Sequence, residues 1–383
     1  MAKTYNNNHR NYNNCIYIWQ RKDWPVFRWN AERLIVPLAE VSQSIGVLAG
    51  QMSLLGFGEK NSAQLEAITG ELMSSSAIEG VVLNADSVRS SVARKLGIEL
   101  NGEISTDHYV DGVVDVMLDA LKNSEAKLTA ERLFDWHAAL FPYGRSGMHK
   151  VTVADWRRGE EPMQVVSGAM GHEKVHYVAT PSASVPLEME KFLDWINACE
   201  SEQSPILKSA IAHLWFVTIH PFDDGNGRIG RTIADMMMSR GNNTKHRYFS
   251  MSAEILRHKK SYYEILEQTQ KGNLDITEWL LWYITALKNA IENAEGVVDT
   301  TLKKSRYWDN FRTIEINERQ RKVVNRLWDG FEGKLTTVKW AKMCHVSRDT
   351  ALRDIQDLVN KRMLKVATEG GRSTNYLLAD DYE

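Results

Sequence analysis

His220-Pro221-Phe222-Asp223-Asp224-Gly225-Asn226-Gly227-Arg228-Ile229-Gly230-Arg231 is the stretch from which the fold of this chain is read. Ahead of it, Ile206, Leu207, Ala210, Ile211, Leu214 and Val217 recur at three- and four-residue steps, the period of a buried helix. Pro221 disfavours helical geometry at His220, so the helix stops there with the imidazole free to face a cleft. Gly225 and Gly227 allow a tight turn with inward N–H groups. A second helix pattern starts near Arg228, with Ile229, Ile233, Met236 and Met237 on its apolar face. A glycine turn that enters a helix N-terminus favours anions, through orphan N–H groups and the helix dipole. Arg228 and Arg231 add forked donors suited to phosphate oxygens. Asp224 fits beside phosphates if Mg²⁺ joins them, because Mg²⁺ is often held by one carboxylate plus phosphates. His220 has an ordinary pKa near neutrality and is the natural general base.

The same twelve residues resemble the signature of the Fic family, His-x-Phe-x-(Asp/Glu)-Gly-Asn-Gly-Arg-x-x-Arg, at every fixed position. The resemblance implies a mainly α fold, a Fic-type helical core with a β-hairpin flap; near the C-terminus, a helix-turn-helix pattern over Thr336 to Arg362 and two wing-like runs, Lys365 to Thr368 and Tyr376 to Leu378, resemble a winged helix-turn-helix domain. The Fic resemblance also implies an enzyme that moves AMP from ATP to a Ser, Thr or Tyr hydroxyl of a protein and releases pyrophosphate. His220 would take the hydroxyl proton, and Asn226 with the turn's N–H groups would stabilise charge on the α-phosphoryl. Asp224 would hold Mg²⁺, while Gly225, Gly227, Arg228 and Arg231 would cradle the outer phosphates. Phe222 would be a buried anchor of the loop.

Upstream, Ser74-Ser75-Ser76-Ala77-Ile78-Glu79-Gly80 reads by itself as an ordinary helix C-terminus, with Ser75 and Glu79 on one face. Beside the Fic signature it resembles the family's inhibitory motif, (Ser/Thr)-x-x-x-Glu-(Gly/Asn). In that case Glu79 pairs with Arg231 and blocks the γ-phosphate, and Ser75 helps to place the helix. One guanidinium fork cannot satisfy a carboxylate and a phosphate together.

Two β-type runs, Met163 to Gly168 and His176 to Pro181, suggest a hairpin. In the family the hairpin at this place holds the target segment by main-chain pairing, and Val165, Val166, Ser167 and Gly168 are expected to touch the nucleotide. His172 and His176 read as solvated loop residues. Tyr262, Tyr263 and Gln270 resemble the family's adenine and ribose pocket, with Gln where relatives often carry Asn. Further upstream, Ile16-Tyr17-Ile18-Trp19 resembles a short strand. The aromatic run Trp24 to Trp29 reads as packing against helices, in preference to a nucleic-acid stacking platform.

The 383 residues suffice for several domains. The expected divisions are a helical region at 1–105, a catalytic core at 106–295, a linker or connecting helix at 296–316 and a winged helix-turn-helix at 317–383. There Arg348, Thr350, Arg353 and Arg372 would face DNA. From residue 316 onward, however, 13 Lys/Arg stand against 10 Asp/Glu, a thin excess for phosphate binding.

Net charge is −2, without a global field toward nucleic acid or membrane. Cys15, Cys199 and Cys344 lack metal-type spacing, no signal peptide is seen, and no apolar run approaches a membrane span. The chain therefore reads as cytoplasmic, with ATP and a protein as partners, DNA as an alternative partner and a homodimer as a family expectation. Two competing readings are a winged-helix regulator with a nucleotide-sensing core, and a bifunctional enzyme that also removes AMP through Glu79.

Overall fold

The computed structural model describes residues 16–99, 107–167, 174–198, 204–241, 247–328, 331, 333–367 and 374–379. The expectations for Gly168, His172, Cys15, Cys199 and Arg372 fall outside these residues. The chain divides into two compact units, Met1–Glu295 and Gly296–Glu383. It is mainly α-helical.

The first unit opens with a 3-10 turn at Ile18–Gln20, which replaces the strand expected at Ile16 to Trp19. The cause is tertiary: Ile18 is fully buried, Tyr17 packs edge-on against Tyr177, and Trp19 Nε1 donates to Val178 O at 2.9 Å. Trp24 and Phe27 both meet Trp215 edge-on, so the aromatic run packs against the core.

α1 (Ala31–Leu54) and α2 (Phe57–Ile78) follow, with Asn30 capping α1 through Arg33 N. Apolar residues on α1 recur every seven positions, and Leu34, Val41 and Leu48 are buried. By length and composition α1 is apolar enough to cross a membrane, and 17% of that window is buried. The expectation that no run approaches a span is corrected there. Pro37, Glu32 and Glu40 break the run in the sequence, while Leu34, Ile35, Val36, Leu38, Val41, Ile45, Val47 and Leu48 sustain its mean hydropathy.

α3 (Ala85–Leu96) ends on Gly97 in the left-handed conformation. α4 (His108–Lys122) and α5 (Ala130–Leu140) are capped by Asp107 and Thr129. A minimal hairpin, β1 (Arg145–Ser146) with β2 (His149–Lys150), precedes the longer antiparallel hairpin of β3 (Gln164–Ser167) and β4 (Lys174–Val178). α6 (Val185–Asn197) leads to α7 (Pro205–Ile219), which Ser204 and Pro205 start together. Residues 206–219 of α7 are all buried, which makes it the central helix of the unit. α8 (Asn226–Gly241) packs along it. α9 (Met251–Arg257), α10 (Lys259–Gln270) and the start of α11 (Thr277–Asn310) complete the unit.

A buried ionic cluster ties three of these elements. Arg247 pairs with Asp235 on α8 and lies 3.5 Å from Glu71 on α2. Glu71 also accepts from Ser250 Oγ at 2.9 Å and Ser252 N at 3.0 Å.

In the second unit, residues 296–310 are helical and belong to α11. α12 (Glu318–Trp328), α13 (Thr337–Cys344) and α14 (Arg348–Asn360) precede the antiparallel pair β5 (Leu364–Val366) and β6 (Tyr376–Leu378). Tyr307, Val323, Val324, Trp340, Ile355, Leu358 and Met363 form its core. Ser347 caps α14, whose exposed face carries Arg348 and Arg353 together with Asp349 and Leu352.

Candidate active site

The site is assembled where α7 ends and α8 begins. His220 closes α7 in the left-handed conformation (φ 56°, ψ 58°), while its N–H still donates to Phe216 O at 3.0 Å. Pro221 prevents the helix from continuing. The imidazole Nδ1 lies 3.1 Å from Val217 O, a contact that requires an N–H there. Nε2 is therefore the basic nitrogen. Burial lowers the ring's pKa to about 4, the Val217 carbonyl opposes, and Arg157 lowers it further. This is below the near-neutral value expected from residue type, and it keeps the imidazole neutral at pH 7.

The turn between the helices is pinned from inside. Phe222 is fully buried and stacks on His137, with centroids 4.2 Å apart. Asn226 uses both ends of its amide on Phe222: Oδ1 accepts from Phe222 N at 2.9 Å and Nδ2 donates to Phe222 O at 2.7 Å. Asn226 is 2% exposed. Its side chain thus shapes the loop from inside, while its amide keeps a second N–H. Gly225 has φ +82°, the region that favours glycine, and a Cβ there would meet the Phe141 ring at 2.9 Å.

Asp224 is held on both carboxylate oxygens. Oδ1 accepts from Gly225 N at 2.5 Å and Oδ2 from the Ser146 hydroxyl. His137 supports it from below, with Nε2 3.2 Å from Asp224 O and Nδ1 accepting from Ala154 N at 3.4 Å. Desolvation lowers His137 to about 4, the Asp224 carbonyl opposing, so it stays neutral with its proton on Nε2. Arg228 donates to Tyr109 OH at 2.9 Å and lies over the Phe141 ring at 4.9 Å.

Arg231 is 4% exposed and faces α2. It donates through Nε to Ser75 Oγ at 2.9 Å and through Nη2 to Ser75 O at 2.8 Å. The same Nη2 lies 2.9 Å from Glu79 Oε1. Burial pushes the Glu79 carboxyl upward, but Arg231, with help from Arg228, outweighs it and holds the group below its usual range. Glu79 Oε1 also sits against the glycine turn: a Cβ on Gly227 would stand 2.0 Å from it. Arg231 Nη1 and Arg228 Nε remain buried without a hydrogen-bond partner. Spare buried donors of this kind suit an anion, because an unmet buried donor carries the full desolvation cost.

A cleft of about 770 Å³ opens over this turn. Its wall brings together Glu79, Val165, Val166, His220, Asp224, Asn226, Gly227, Tyr262, Tyr263 and Gln270. Ser75, Gly225, Arg228 and Arg231 are not on that wall, and Ser167 closes β3 beside it. Tyr262 OH is 2.8 Å from His213 Nε2, and Gln270 Nε2 is 3.3 Å from Thr218 Oγ1. His176 is not a solvated loop residue. It lies on β4, on the cleft wall, with Nδ1 2.5 Å from Glu267 Oε2 on α10.

No group of three or more metal-ligating side chains occurs among the described residues. Asp224 suits Mg²⁺ in the other way that ion is bound, by one carboxylate and substrate phosphates. Each of its oxygens accepts one hydrogen bond and keeps a second lone pair.

Sequence reasoning missed His137, Ser146, Tyr109, Phe141 and Arg157. Each acts through a partner dozens of residues away, as with the 78-residue gap between Ser146 and Asp224.

Residues 127–238 match the Fic/DOC family model, and residues 17–98 match a domain of unknown function, DUF4172. The chain is 25% identical over 217 residues to "Protein adenylyltransferase Fic" of Culex quinquefasciatus, covering 55% of this chain and 39% of that one. It is 23% identical over 217 residues to the protein of the same name from Aedes aegypti, with the same coverage. The chain thus spans about two fifths of the length of these curated relatives. A Fic family protein from Desulfovibrio desulfuricans G20 shares the fold, with a TM-score of 0.51 and 19% identity over 91% of this chain and 96% of that one.

Proposed function

The chain is a Fic family protein, and from that premise we propose that it transfers AMP from ATP to a hydroxyl of a protein target and is restrained by Glu79. The observation that carries this reading is the meeting of three things at one cleft. A neutral imidazole has its basic nitrogen free, a glycine turn enters α8, and a carboxylate stands 2.9 Å from the guanidinium behind that turn.

On this reading the ATP phosphates lie over Gly225 to Arg228, with Arg228 and Arg231 supplying spare guanidinium donors. Asp224 would hold Mg²⁺, which when bound neutralises phosphate charge. Val165 and Val166 on β3, with Tyr262, Tyr263 and Gln270 on α10, would border the nucleoside. The target oxygen attacks the α-phosphorus, the bond to the β-phosphate oxygen breaks, and pyrophosphate leaves. His220 Nε2 receives the hydroxyl proton. The first-turn N–H groups of α8, which have no helical acceptors, stabilise the charge that develops.

Glu79 restrains the reaction because its carboxylate takes the Arg231 contact and the space over Gly227. A phosphate oxygen needs both. The test is incubation of the Glu79→Gly protein with labelled ATP and Mg²⁺. Label on the protein itself or on lysate proteins supports the proposal, and its absence contradicts it.

A further inference from the structure

One buried arginine outside the signature grips the base from behind. Arg157 lies between β2 and β3 and is 4% exposed. The last carbonyls of α7 have no helical partner and need another. Arg157 Nε donates to His220 O at 2.7 Å, and Nη2 donates to Thr180 O and to Ile219 O, the latter at 3.5 Å. Its own N–H donates to Pro221 O at 2.9 Å. Thr180 Oγ1 adds a bond to Ile219 O at 3.0 Å, and Tyr177 OH one to Thr218 O at 2.7 Å. Four consecutive carbonyls, from Thr218 to Pro221, are therefore claimed by Arg157 and by two residues of the hairpin. Tyr177 is within β4, and Thr180 follows its end.

His220 has a backbone conformation that non-glycine residues adopt at a cost and that persists when surroundings enforce it. The guanidinium on His220 O is such an enforcement. We infer that Arg157 is a positioning residue: it fixes His220 in the left-handed conformation and ties it to the β3–β4 hairpin, so that base and hairpin keep a constant relation. The inference rests on His220 acting as the base of the proposed transfer. A second effect follows from charge, since the Arg157 cation stands close enough to disfavour the imidazolium of His220.

The experiment uses the full chain with Glu79→Gly, into which Arg157→Lys, Arg157→Met and Tyr177→Phe are placed singly. Single-turnover AMP incorporation across pH, affinity for a fluorescent ATP analogue, and melting temperature are measured for each. Lys keeps the charge without the fork, so Arg157→Lys should lose on the order of 10²-fold in rate, the scale of a small misplacement of a reacting group, with nucleotide affinity within about twofold. Arg157→Met should show the same loss and an acid limb of the pH–rate profile moved upward, whereas Arg157→Lys should leave that limb in place. A purely structural role would not separate the two. If Arg157→Met fails to fold, Arg157→Lys and Tyr177→Phe decide: both should be slower at unchanged nucleotide affinity. Full rate in a folded Arg157→Lys, or loss of nucleotide affinity parallel to the rate, overturns the inference while the Glu79→Gly parent still transfers AMP. An inactive parent overturns the transfer reading and this inference together.

Discussion

Glu79 Oε1 lies 2.9 Å from Arg231 Nη2, and a methyl group on Gly227 would stand 2.0 Å from that same oxygen. The carboxylate thus fills the angle between the guanidinium and the glycine turn. Its removal leaves Arg231 buried without a carboxylate partner, the two Ser75 bonds remaining. Glu79→Gly should therefore lower stability by about 1–3 kcal/mol, the cost of unpairing a buried polar group. Saturating ATP with Mg²⁺ should return most of it, about 2.7 kcal/mol at a hundredfold excess over Kd. Denaturant melts with and without nucleotide check this, and the wild-type protein should gain less.

The Glu71–Arg247–Asp235 cluster sets two buried carboxylates against one guanidinium. Desolvation raises the Asp235 carboxyl to about 7, Arg247 opposing and Glu71 adding to the rise. An acid raised in the folded state binds its proton there while the unfolded chain has released it. Stability from this group is hence lost as pH rises from about 4 to about 7, at a slope of up to about 1.4 kcal/mol per unit. Urea melts at several pH values should show that slope in the wild type. Asp235→Asn should lack it.

His137 should act in the opposite sense. Its ring is fully buried with a pKa lowered to about 4, so the folded state resists the proton that the unfolded chain accepts near 6.5. Stability is lost as pH falls between those values, again by up to about 1.4 kcal/mol per unit. His137→Phe keeps a ring against Phe222 and removes the titration. It should be less stable at pH 7, where the bonds to Asp224 O and Ala154 N are lost, yet lose less than the wild type on going to pH 5.

Ser146 tests the support of Asp224. Its hydroxyl binds Asp224 Oδ2 from the β1–β2 hairpin. Ser146→Ala frees that oxygen and one side-chain rotation. The Mg²⁺ concentration for half-maximal AMP incorporation by the Glu79→Gly protein should rise severalfold, with the ATP-analogue affinity measured without metal unchanged.

Much of the core was legible because its signals are local. The periodicity of Ile206 to Val217, Pro221 and the two glycines mark a helix, a stop and a turn, and α7, His220 and α8 have that form. Ser75 and Glu79 carry no meaning by periodicity; the family resemblance singled them out, and the structure brings both to Arg231. What was not legible depends on distant partners. Ile18 becomes part of a 3-10 turn because Trp19 reaches Val178. His176 leaves solvent because Glu267 waits on α10. Arg157 reads as one of two adjacent loop arginines, and nothing local distinguishes it from Arg158, which stays exposed in a pair with Asp155. The Asn226 amide turned inward for a related reason: Phe222 offers both a donor and an acceptor four residues away.

The most direct test is intact-protein mass spectrometry of Glu79→Gly after exposure to ATP and Mg²⁺, with wild type and Glu79→Gly/His220→Ala alongside. The account predicts an added adenylyl group on Glu79→Gly, far less on the wild type and none on the double variant. A Glu79→Gly protein that binds ATP yet gains no adenylyl group, on itself or on offered proteins, would contradict it.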